Sequence, residues 1–365
     1  MSRTLDTTPA SDGFIMPGEF EPHSGCWMLW PERPDNWRDG GLPAQQAFAS
    51  VATAIATGEA VTVGASRDQY LKARAMLPAA VRVVEISSDD AWMRDVGPTF
   101  VCNAAGEVRG VDWQFNAWGG VQGGLYKAWD QDELVAQKVL QIESRDRYVA
   151  PLIMEGGAIH VDGCGTLITT EQCLLNENRN AGLDIGATEL LLHEYAGAST
   201  VIWLGQGVPD DETDGHVDEL CSFVRPGVVV LTWTDNKRDP LYSVCRDAFE
   251  RLSSARDARG KKIVVHKLPQ PGPLFATKKE AAGVQRKRGT KSRLAGDRLA
   301  ASYVNFYIGN RVVVMPLLDD RYDSAVAKQL AALFPKRRVI GVQAREILLG
   351  GGSIHCITQQ VPSGV

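Results

Sequence analysis

The residue types that could do covalent chemistry lie beside glycine-rich turns. The stretch GGGSIHCITQQ, residues 350–360, places Cys356 shortly behind three glycines. An earlier stretch, EGGAIHVDG at residues 155–163, repeats the order Gly-Gly-small-Ile-His with Val161 where the later copy has the cysteine. Glycine lets a backbone turn sharply or approach a ligand closely, and thiolate is the reactive form of cysteine. The two copies therefore indicate one turn-and-strand device used twice, with a nucleophile added in the second.

A general acid and base for such a nucleophile is available in DDETDGHVDEL, residues 210–220. Residues two apart on an extended strand point to the same face, which predicts that His216 and Asp218 project together. A histidine beside carboxylates can exchange protons near neutral pH. A metal site and a plain acidic loop before a strand are the alternative interpretations, and the acidic loop is the commoner explanation of such a string.

Further carboxylates come from two other turns. The stretch DDAWMRDVGP, residues 89–98, has three of them with a tryptophan and an arginine, and Glu155 heads the first Gly-Gly copy. Acidic residues at strand entrances are usually solvated, so each cluster alone has a simple structural explanation. Together, one cysteine, one histidine and several carboxylates favour a site for a planar cation, because carboxylates bind guanidinium in a bidentate fork.

Metal and nucleotide chemistry find less support in the sequence. His160 and Cys164 have a plausible spacing for zinc, but no second pair with matching spacing follows. No GxxxxGK[ST] loop and no GxGxxG after a strand is present. We therefore predict that the protein needs neither a metal nor a cofactor.

The elements that must position these residues alternate between strands and helices. Short β-branched runs predict strands at 81–86, 201–204, 227–233, 262–268, 303–308, 311–318 and 338–342. Apolar residues at helical spacing predict helices at 44–57, 132–142 and 323–334. This alternation is typical of a mixed α/β architecture.

A weak internal repeat is superimposed on that alternation. About five units open with a Gly or Asp turn, enter a strand, turn and return; they begin near residues 95, 155, 214, 301 and 350. Repeats of this size suggest a radial array or propeller. The expected fold is thus one α/β domain over residues 1–365.

Bulk properties exclude several classes of function. The 365 residues are 44% hydrophobic and carry a formal charge of -5, which argues against a nucleic-acid binder. No run reaches the length of a membrane span, and the polar N-terminus lacks the apolar core of a signal peptide. Seven scattered cysteines do not suggest a disulfide framework, so we expect a reducing cytoplasm. The oligomeric state is left open, and a homo-oligomer is compatible with the sequence.

The segment 277–297 differs from the rest in composition. Its core, KKEAAGVQRKRGTKSR, is basic and has no apolar periodicity, which predicts an exposed loop. A nucleic-acid patch is the less favoured alternative, because interleaved aromatic residues are missing. A mobile cover over a site is another interpretation.

Six stretches resemble the agmatine deiminase family of the guanidino-group-modifying superfamily. They are MPGEFEPHSGCWMLWPERPDNWRDGG (16–41), DDAWMRDVGPTF (89–100), EGGAIHVDGCGTLITTEQCLLNENRN (155–180), DGHVDELCSFVRPG (214–227), RLAASYVNFYIGN (298–310) and GGGSIHCITQQVP (350–362). The chain departs from the family at Ser353, where asparagine is usual. The resemblance implies a pentein-like five-bladed α/β propeller with pseudo-fivefold ββαβ-type repeats. It also implies hydrolysis of agmatine to N-carbamoylputrescine and ammonia, in polyamine (putrescine) biosynthesis or in arginine/agmatine catabolism.

The resemblance also implies roles for individual residues. Asp95 and Asp218 would grip the guanidinium, Cys356 would attack its central carbon, and His216 would move protons. Glu155 would hold His216 or the guanidinium. The remaining predicted substrate contacts are Glu212 for the far ammonium, Trp92 and Asp90.

Two alternative functions stay open at this point. One is a peptidylarginine or free-arginine deiminase with the same core. Free arginine would favour a cationic clamp for its carboxylate, whereas agmatine needs an acidic or aromatic one, and the acidic string 210–214 favours agmatine. The other is a polyamine-binding propeller without catalysis, against which an intact Cys356 and His216 speak.

Overall fold

Strands and helices alternate along residues 2–364, the part of the chain that this computed structural model describes. The strands in chain order are β1 (Thr4–Leu5), β2 (Phe14–Ile15), β3 (His23–Leu29), β4 (Val61–Ala65), β5 (Arg82–Glu85), β6 (Thr99–Asn103), β7 (Val108–Gln114), β8 (Arg147–Ile153), β9 (Ile159–Val161), β10 (Thr166–Thr170), β11 (Thr200–Leu204), β12 (Cys221–Arg225), β13 (Val228–Trp233), β14 (Val264–Pro269), β15 (Tyr307–Ile308), β16 (Val312–Leu317), β17 (Arg338–Gln343) and β18 (Gln359–Pro362).

The helices lie mostly in the connections between these strands. They are α1 (Leu42–Ala56), α2 (Tyr70–Met76), α3 (Met93–Val96), α4 (Gly120–Gly123), α5 (Val135–Ile142), α6 (Glu171–Leu174), α7 (Glu177–Asn180), α8 (Ile185–Ala196), α9 (Leu241–Ser254), α10 (Lys278–Ala282), α11 (Asp323–Leu333) and α12 (Arg345–Leu348). Short 3₁₀ helices span Arg38–Gly41, Asp132–Leu134, Gly156–Ala158 and Val217–Glu219. Within residues 2–364, no helix has both the length and the apolar character needed to cross a bilayer.

The strands of the described chain form five separate sheets, and none of these closes into a barrel. Their strand orders are β1-β8-β7-β6-β2, β11-β10-β9, β12-β13-β14, β15-β16-β17 and β18-β3-β4-β5. Each sheet contains an antiparallel pair followed by a parallel pair, for example β9-β10 and then β10-β11. Parallel neighbours need a crossover connection, and a helix supplies it in every sheet: α1, α5, α8, α9 or α11.

The two ends of the chain share one of these sheets. β18, near the C-terminus, pairs antiparallel with β3, near the N-terminus, so that Gln359 lies opposite Trp27. β3 then pairs in parallel with β4 across α1. The antiparallel-then-parallel unit is therefore completed here by strands from opposite ends of the sequence.

The strands and helices expected from periodicity are confirmed, with one exception. The expected strand 303–308 is reduced to β15, Tyr307–Ile308. The preceding residues leave the ladder because Asn305 uses its side-chain oxygen to accept hydrogen bonds from the backbone N–H groups of His355, at 2.9 Å, and Cys356, at 3.4 Å. Such side-chain bonds compete with strand pairing.

The basic segment 277–297 contains a short helix that composition alone did not suggest. α10 begins behind Thr277, whose side chain accepts a hydrogen bond from the N–H of Glu280 while the Glu280 carboxylate accepts one from the N–H of Thr277. The Thr-x-x-Glu order is the signature of this capping box and could have revealed the helix. Most residues of the segment are exposed.

Candidate active site

The turn that precedes the first strand of the antiparallel pair carries a predicted site residue in four of the five sheets. Asp95 precedes β6, Glu155 precedes β9, and Cys356 precedes β18. His216 and Asp218 both precede β12, and the prediction that they lie on an extended strand is wrong, because Val217–Glu219 is a 3₁₀ helix that begins directly after His216. Distances of 3.3–3.8 Å connect His216 to Glu155 and Asp95, and 3.5 Å separates Asp218 from Cys356. The structure therefore brings the five residues predicted as catalytic together.

Gly157, the second glycine of the earlier Gly-Gly copy, allows this convergence. A Cβ atom at this position would lie 2.6 Å from Nδ1 of His216 and 2.9 Å from Oδ1 of Asp95. It would also lie 3.0 Å from Oδ2 of Asp218. Since real Cβ contacts are not this short, only glycine fits between the three side chains.

The Cys356 sulfur lies in an acidic, enclosed environment. Its side chain is buried, and Sγ is 3.5 Å from Oδ2 of Asp218 and 3.8 Å from Oε1 of Glu219. Burial and then the charges of Asp218, Glu219 and Asp95 raise the pKa of the Cys356 thiol well above its ordinary value. A cation placed among these carboxylates would counteract that effect and favour the thiolate.

Asn305 is a residue of this site that the sequence did not single out. Its Nδ2 donates a hydrogen bond to Sγ of Cys356 at 3.1 Å, while its Oδ1 accepts from the backbone N–H of His355 at 2.9 Å. The first contact favours negative charge on sulfur, and the second holds the turn that presents it. Asn305 is therefore the residue that the β15 sheet contributes to the site. The sequence had predicted only a strand in this stretch.

His216 lies between two carboxylates. Its Nε2 is 3.3 Å from Oε2 of Glu155, and its Nδ1 is 3.8 Å from Oδ1 of Asp95. Burial disfavours charge on the ring, but Asp95 and Glu155 favour it more strongly, so the pKa of His216 rises well above its ordinary value. Glu155 is fixed in turn by Arg179, whose Nε donates to it at 2.7 Å. The two carboxylates therefore favour the protonated ring, which is the form that acts as a general acid.

Asp95 is oriented by two donors from other elements. Its Oδ1 accepts from the N–H of Gly157 at 3.0 Å, and its Oδ2 accepts from Nε1 of Trp118 at 2.9 Å. Ala117 and Trp118 have positive φ angles of 56° and 61°, which are uncommon for such residues and occur often at functional sites. Burial is the main reason why the pKa of Asp95 is raised to about 6.

Two carboxylate oxygens near the sulfur have no partner among the described residues. They are Oδ1 of Asp218 and Oε2 of Glu219, both fully shielded from solvent. The other oxygen of Asp218 accepts from Nδ1 of His355 at 2.8 Å. Buried acceptors without donors are costly, and a ligand with several N–H groups would satisfy them.

Asp90 and Trp92, both predicted substrate contacts, lie close to the nucleophile's turn. The buried Asp90 carboxylate accepts hydrogen bonds from Nε1 of Trp37 at 2.7 Å and from Nε1 of Trp92 at 3.0 Å. Burial raises the pKa of Asp90, and these donors partly offset the rise. The Trp92 ring faces Gly352, where a Cβ would approach it to 2.7 Å. Asp90 thus holds the indole that lines this side of the site.

Glu212, predicted to hold a distal ammonium, is occupied by two cations of segment 277–297. Its carboxylate forms a hydrogen-bonded ion pair with Arg293 and a second ion pair with Lys291 at 3.1 Å. Arg293 also donates to the carbonyl oxygen of Gly350 at 2.6 Å. Glu212 therefore lies next to the Gly350–Gly352 turn, with its charge already compensated.

Two buried side-chain clusters in the described chain have the residue types of metal ligands. They are Glu19, His160 and His355, and Glu155, Cys173 and His216. An arginine contacts the carboxylate in each: Arg94 on Glu19 at 2.9 Å and Arg179 on Glu155 at 2.7 Å. A guanidinium so close opposes a divalent cation. Cys164, the partner that spacing suggested for His160, is exposed instead.

Comparison with known proteins assigns the class that this fold and site define. The model of the Porphyromonas-type peptidyl-arginine deiminase family matches residues 15–362, and the chain belongs to that family. Within it, the chain is similar to the agmatine deiminase of Pseudomonas aeruginosa (strain UCBPP-PA14), with 57% identity over 98% of each chain. It is 56% identical to the agmatine deiminase of Ectopseudomonas mendocina (strain ymp) over 99% of this chain and 98% of that one. The solved agmatine deiminase of Enterococcus faecalis superposes with a TM-score of 0.97, 47% identity and full coverage of both chains.

Proposed function

We propose that this protein hydrolyses agmatine to N-carbamoylputrescine and ammonia through a covalent intermediate on Cys356. The observation that carries the proposal is that Asp218 and Glu219 each approach the Cys356 sulfur with one oxygen, while the other oxygen of each is buried and has no partner among the described residues. A guanidinium group has N–H donors in one plane and a positive charge, and it would satisfy both. The close relatives named agmatine deiminases support the same reaction.

The first half-reaction forms the intermediate. Asp95 and Asp218 hold the guanidinium plane, and the Cys356 sulfur bonds to the central carbon to give a tetrahedral adduct. The carbon–nitrogen bond then breaks, and the terminal nitrogen leaves with the thiol proton and the proton of His216, as the ammonium form of ammonia. His216, protonated in the free site, is the acid that reaches the departing nitrogen. The product on the enzyme is an amidino-cysteine.

The second half-reaction releases the ureido product. His216, now neutral, takes a proton from water, whose oxygen attacks the amidino carbon. The carbon–sulfur bond breaks, N-carbamoylputrescine leaves, and the sulfur regains a proton. Glu155 holds the ring through both steps, because its other oxygen is fixed by Arg179. Proton transfer of this kind contributes about a hundred- to ten-thousandfold in rate.

Substrate binding also activates the nucleophile in this proposal. In the free site, burial and nearby carboxylates hold the pKa of the Cys356 thiol high. The substrate brings a positive charge among those carboxylates and lowers that pKa. Asn305 then stabilises the thiolate through its Nδ2 donor. The thiolate therefore forms mainly when substrate is present.

Glu212 is the proposed partner of the agmatine ammonium. Its Oε1 pairs with Lys291, whose side chain is 50% exposed. An ion pair with such an exposed partner contributes only about 0–1 kcal/mol, so the substrate ammonium can replace Lys291 while Arg293 stays in place. Trp92 would cover the alkyl chain between the two charged ends.

Arg293 and Lys291, which pair with Glu212, favour a second candidate function, that of a free-arginine deiminase. Two cations on one carboxylate leave an excess positive charge at the far end of the site, and arginine, unlike agmatine, would bring a carboxylate to Arg293 and Lys291. Guanidinium–carboxylate pairs are strong and bidentate. The recognition of the guanidinium end would be unchanged.

The architecture we infer around this site is a five-bladed α/β propeller. Each of the five sheets would form one blade, and the pairing of β18 with β3 would close the ring. This arrangement explains why the site residues all lie at equivalent turns. The seven free cysteines are compatible with the cytoplasmic location expected from the sequence.

One experiment separates these functions. Ammonia release is measured from agmatine, free arginine and a blocked arginine peptide, with Cys356→Ala as the inactive control. Release from agmatine alone is the expected result. Release mainly from arginine would favour the second candidate, release mainly from the peptide would assign a peptidylarginine deiminase, and agmatine binding without any release would indicate a non-enzymatic polyamine-binding protein.

A further inference from the structure

His355, the residue just before the nucleophile, joins two buried carboxylates. Its Nδ1 is 2.8 Å from Oδ2 of Asp218, and its Nε2 is 2.9 and 3.0 Å from the two oxygens of Glu19. All three side chains are buried. Since ionised carboxylates only accept hydrogen bonds, each ring nitrogen has to donate, which makes His355 an imidazolium.

Glu19 is itself held by cationic and polar neighbours. Arg94 donates to its Oε1 at 2.9 Å, and Nε2 of His160 is 3.6 Å from its Oε2. The backbone N–H of Arg94 also donates to the carbonyl oxygen of Cys356 at 3.1 Å. We call Glu19, Arg94, His160 and His355 the Glu19 cluster. It forms a buried layer that contacts the turn of the nucleophile.

This cluster is better suited to hydrogen bonding than to a metal ion. Binding a metal would require Nε2 of His355 to lose its proton, and Arg94 would place a positive charge beside the ion. As arranged, Arg94 and His355 balance the charges of Glu19 and Asp218. Buried charges are tolerated when they are paired and hydrogen-bonded in this way.

We propose that His355 is a positioning residue that fixes the guanidinium-binding carboxylate of Asp218. By taking Oδ2 of Asp218, the imidazolium leaves Oδ1 as the oxygen that faces the ligand, and this oxygen has no partner in residues 2–364. Without His355, the carboxylate can rotate about its Cβ–Cγ bond and lose that orientation. The inference rests on the proposed guanidinium contact of Asp218.

His160 is a natural control for this role. It occupies the position of His355 in the earlier Gly-Gly-small-Ile-His copy, and the two rings stack with centroids 5.9 Å apart. Its nitrogens contact Ser222 at 3.0 Å and the N–H of Phe223 at 3.4 Å, and do not contact Asp218 among the described residues. The two histidines share a cluster and a repeat position, but only His355 contacts the proposed clamp.

The test measures binding of methylguanidinium by isothermal titration calorimetry, which gives the dissociation constant without using the reactivity of the Cys356 thiol. His355→Gln should raise the dissociation constant at least about tenfold, the loss typical of one charge-assisted hydrogen bond. His160→Gln should leave the constant close to that of the wild type.

A double-mutant cycle separates positioning from a general structural role. In an Asp218→Asn background, His355→Gln should change the methylguanidinium constant little, because its partner is already altered. Equal losses in both backgrounds, equal losses for His355→Gln and His160→Gln, or no loss at all would overturn the proposal. If His355→Gln does not fold, as judged by thermal unfolding, Glu19→Gln takes its place with the same expected coupling to Asp218.

Failure of the positioning role of His355 can be distinguished from failure of the proposed hydrolysis of agmatine. Wild-type turnover of agmatine is measured separately, and its absence would refute the proposed activity without changing the methylguanidinium result. Conversely, an active wild type with no coupling between His355 and Asp218 would refute only the positioning role.

Discussion

Replacing Asp95 and Asp218 by asparagine, singly and together, tests the proposed clamp directly. In Asp218→Asn, the amide oxygen has to face the Nδ1 donor of His355, so the NH₂ group takes the place of Oδ1 and opposes the guanidinium. In Asp95→Asn, both oxygen positions face donors, the N–H of Gly157 and the indole of Trp118, so the NH₂ group opposes one of them. Each change keeps the shape, removes a charge and creates a donor–donor contact.

The size of the effect follows from the bonds that are lost. Removing a charge-assisted hydrogen bond costs about 1.5–3 kcal/mol, which corresponds to a loss of about 10- to 150-fold in kcat/KM for each single variant. The double variant should lose less than the product of the two factors, because the guanidinium is already misplaced after the first change. For residues sharing a ligand, this coupling is about 0.5–3 kcal/mol.

The assay is steady-state ammonia release from agmatine by the wild type, both single variants and the double variant. Asp112→Asn is the matched control: Asp112 is also buried, with a pKa raised by burial to about 6, but it pairs with Arg147 at 3.0 Å. The control should leave kcat/KM unchanged. Wild-type kinetics in either single variant would make that residue structural, and fully additive losses would refute the shared clamp.

Three further results are expected. Cys356→Ser should abolish turnover while agmatine still binds by calorimetry, since a hydroxyl is far less nucleophilic without a matched base. Because the pKa of Asp95 is raised to about 6 by burial, this carboxylate gains a proton as the pH falls below 6, and kcat/KM should fall with it. In Asp95→Asn, this decrease of kcat/KM on the acid side of the pH profile (the acid limb) should be absent. Glu212→Gln should weaken agmatine binding by about 1.5–3 kcal/mol and propylguanidine binding much less.

Each of these expectations has an outcome that contradicts it. Turnover by Cys356→Ser near the wild-type rate would exclude the covalent mechanism. An acid limb that persists in Asp95→Asn would assign that ionisation to another group. Equal losses for agmatine and propylguanidine in Glu212→Gln would remove Glu212 from substrate recognition and leave Asp211 or Asp214 as the next candidates.

Local patterns in the sequence were sufficient for much of the fold. β-branched runs such as 227–233 and 338–342 correspond to β13 and β17, and the apolar spacing of 44–57 and 323–334 corresponds to α1 and α11. Periodicity reports these elements well because their side chains are buried on regular faces. The chemistry-bearing residues were also recognisable, since they lie beside glycines that permit sharp turns. The repeated Gly-Gly copies pointed to Glu155 and Cys356 in this way.

Tertiary structure alone decided how those residues are supported. Asn305 lies within an apolar run that reads as a strand, and its role follows only from its contacts with the Cys356 turn, 51 residues away. Likewise, Arg293 and Lys291 lie in a segment whose composition indicates only exposure, yet they pair with Glu212. Contacts of this kind depend on which distant turns converge, and local propensity contains no information about distance in space. The sequence by itself therefore determined which groups could react, and the fold determined which of their oxygens and nitrogens face one another.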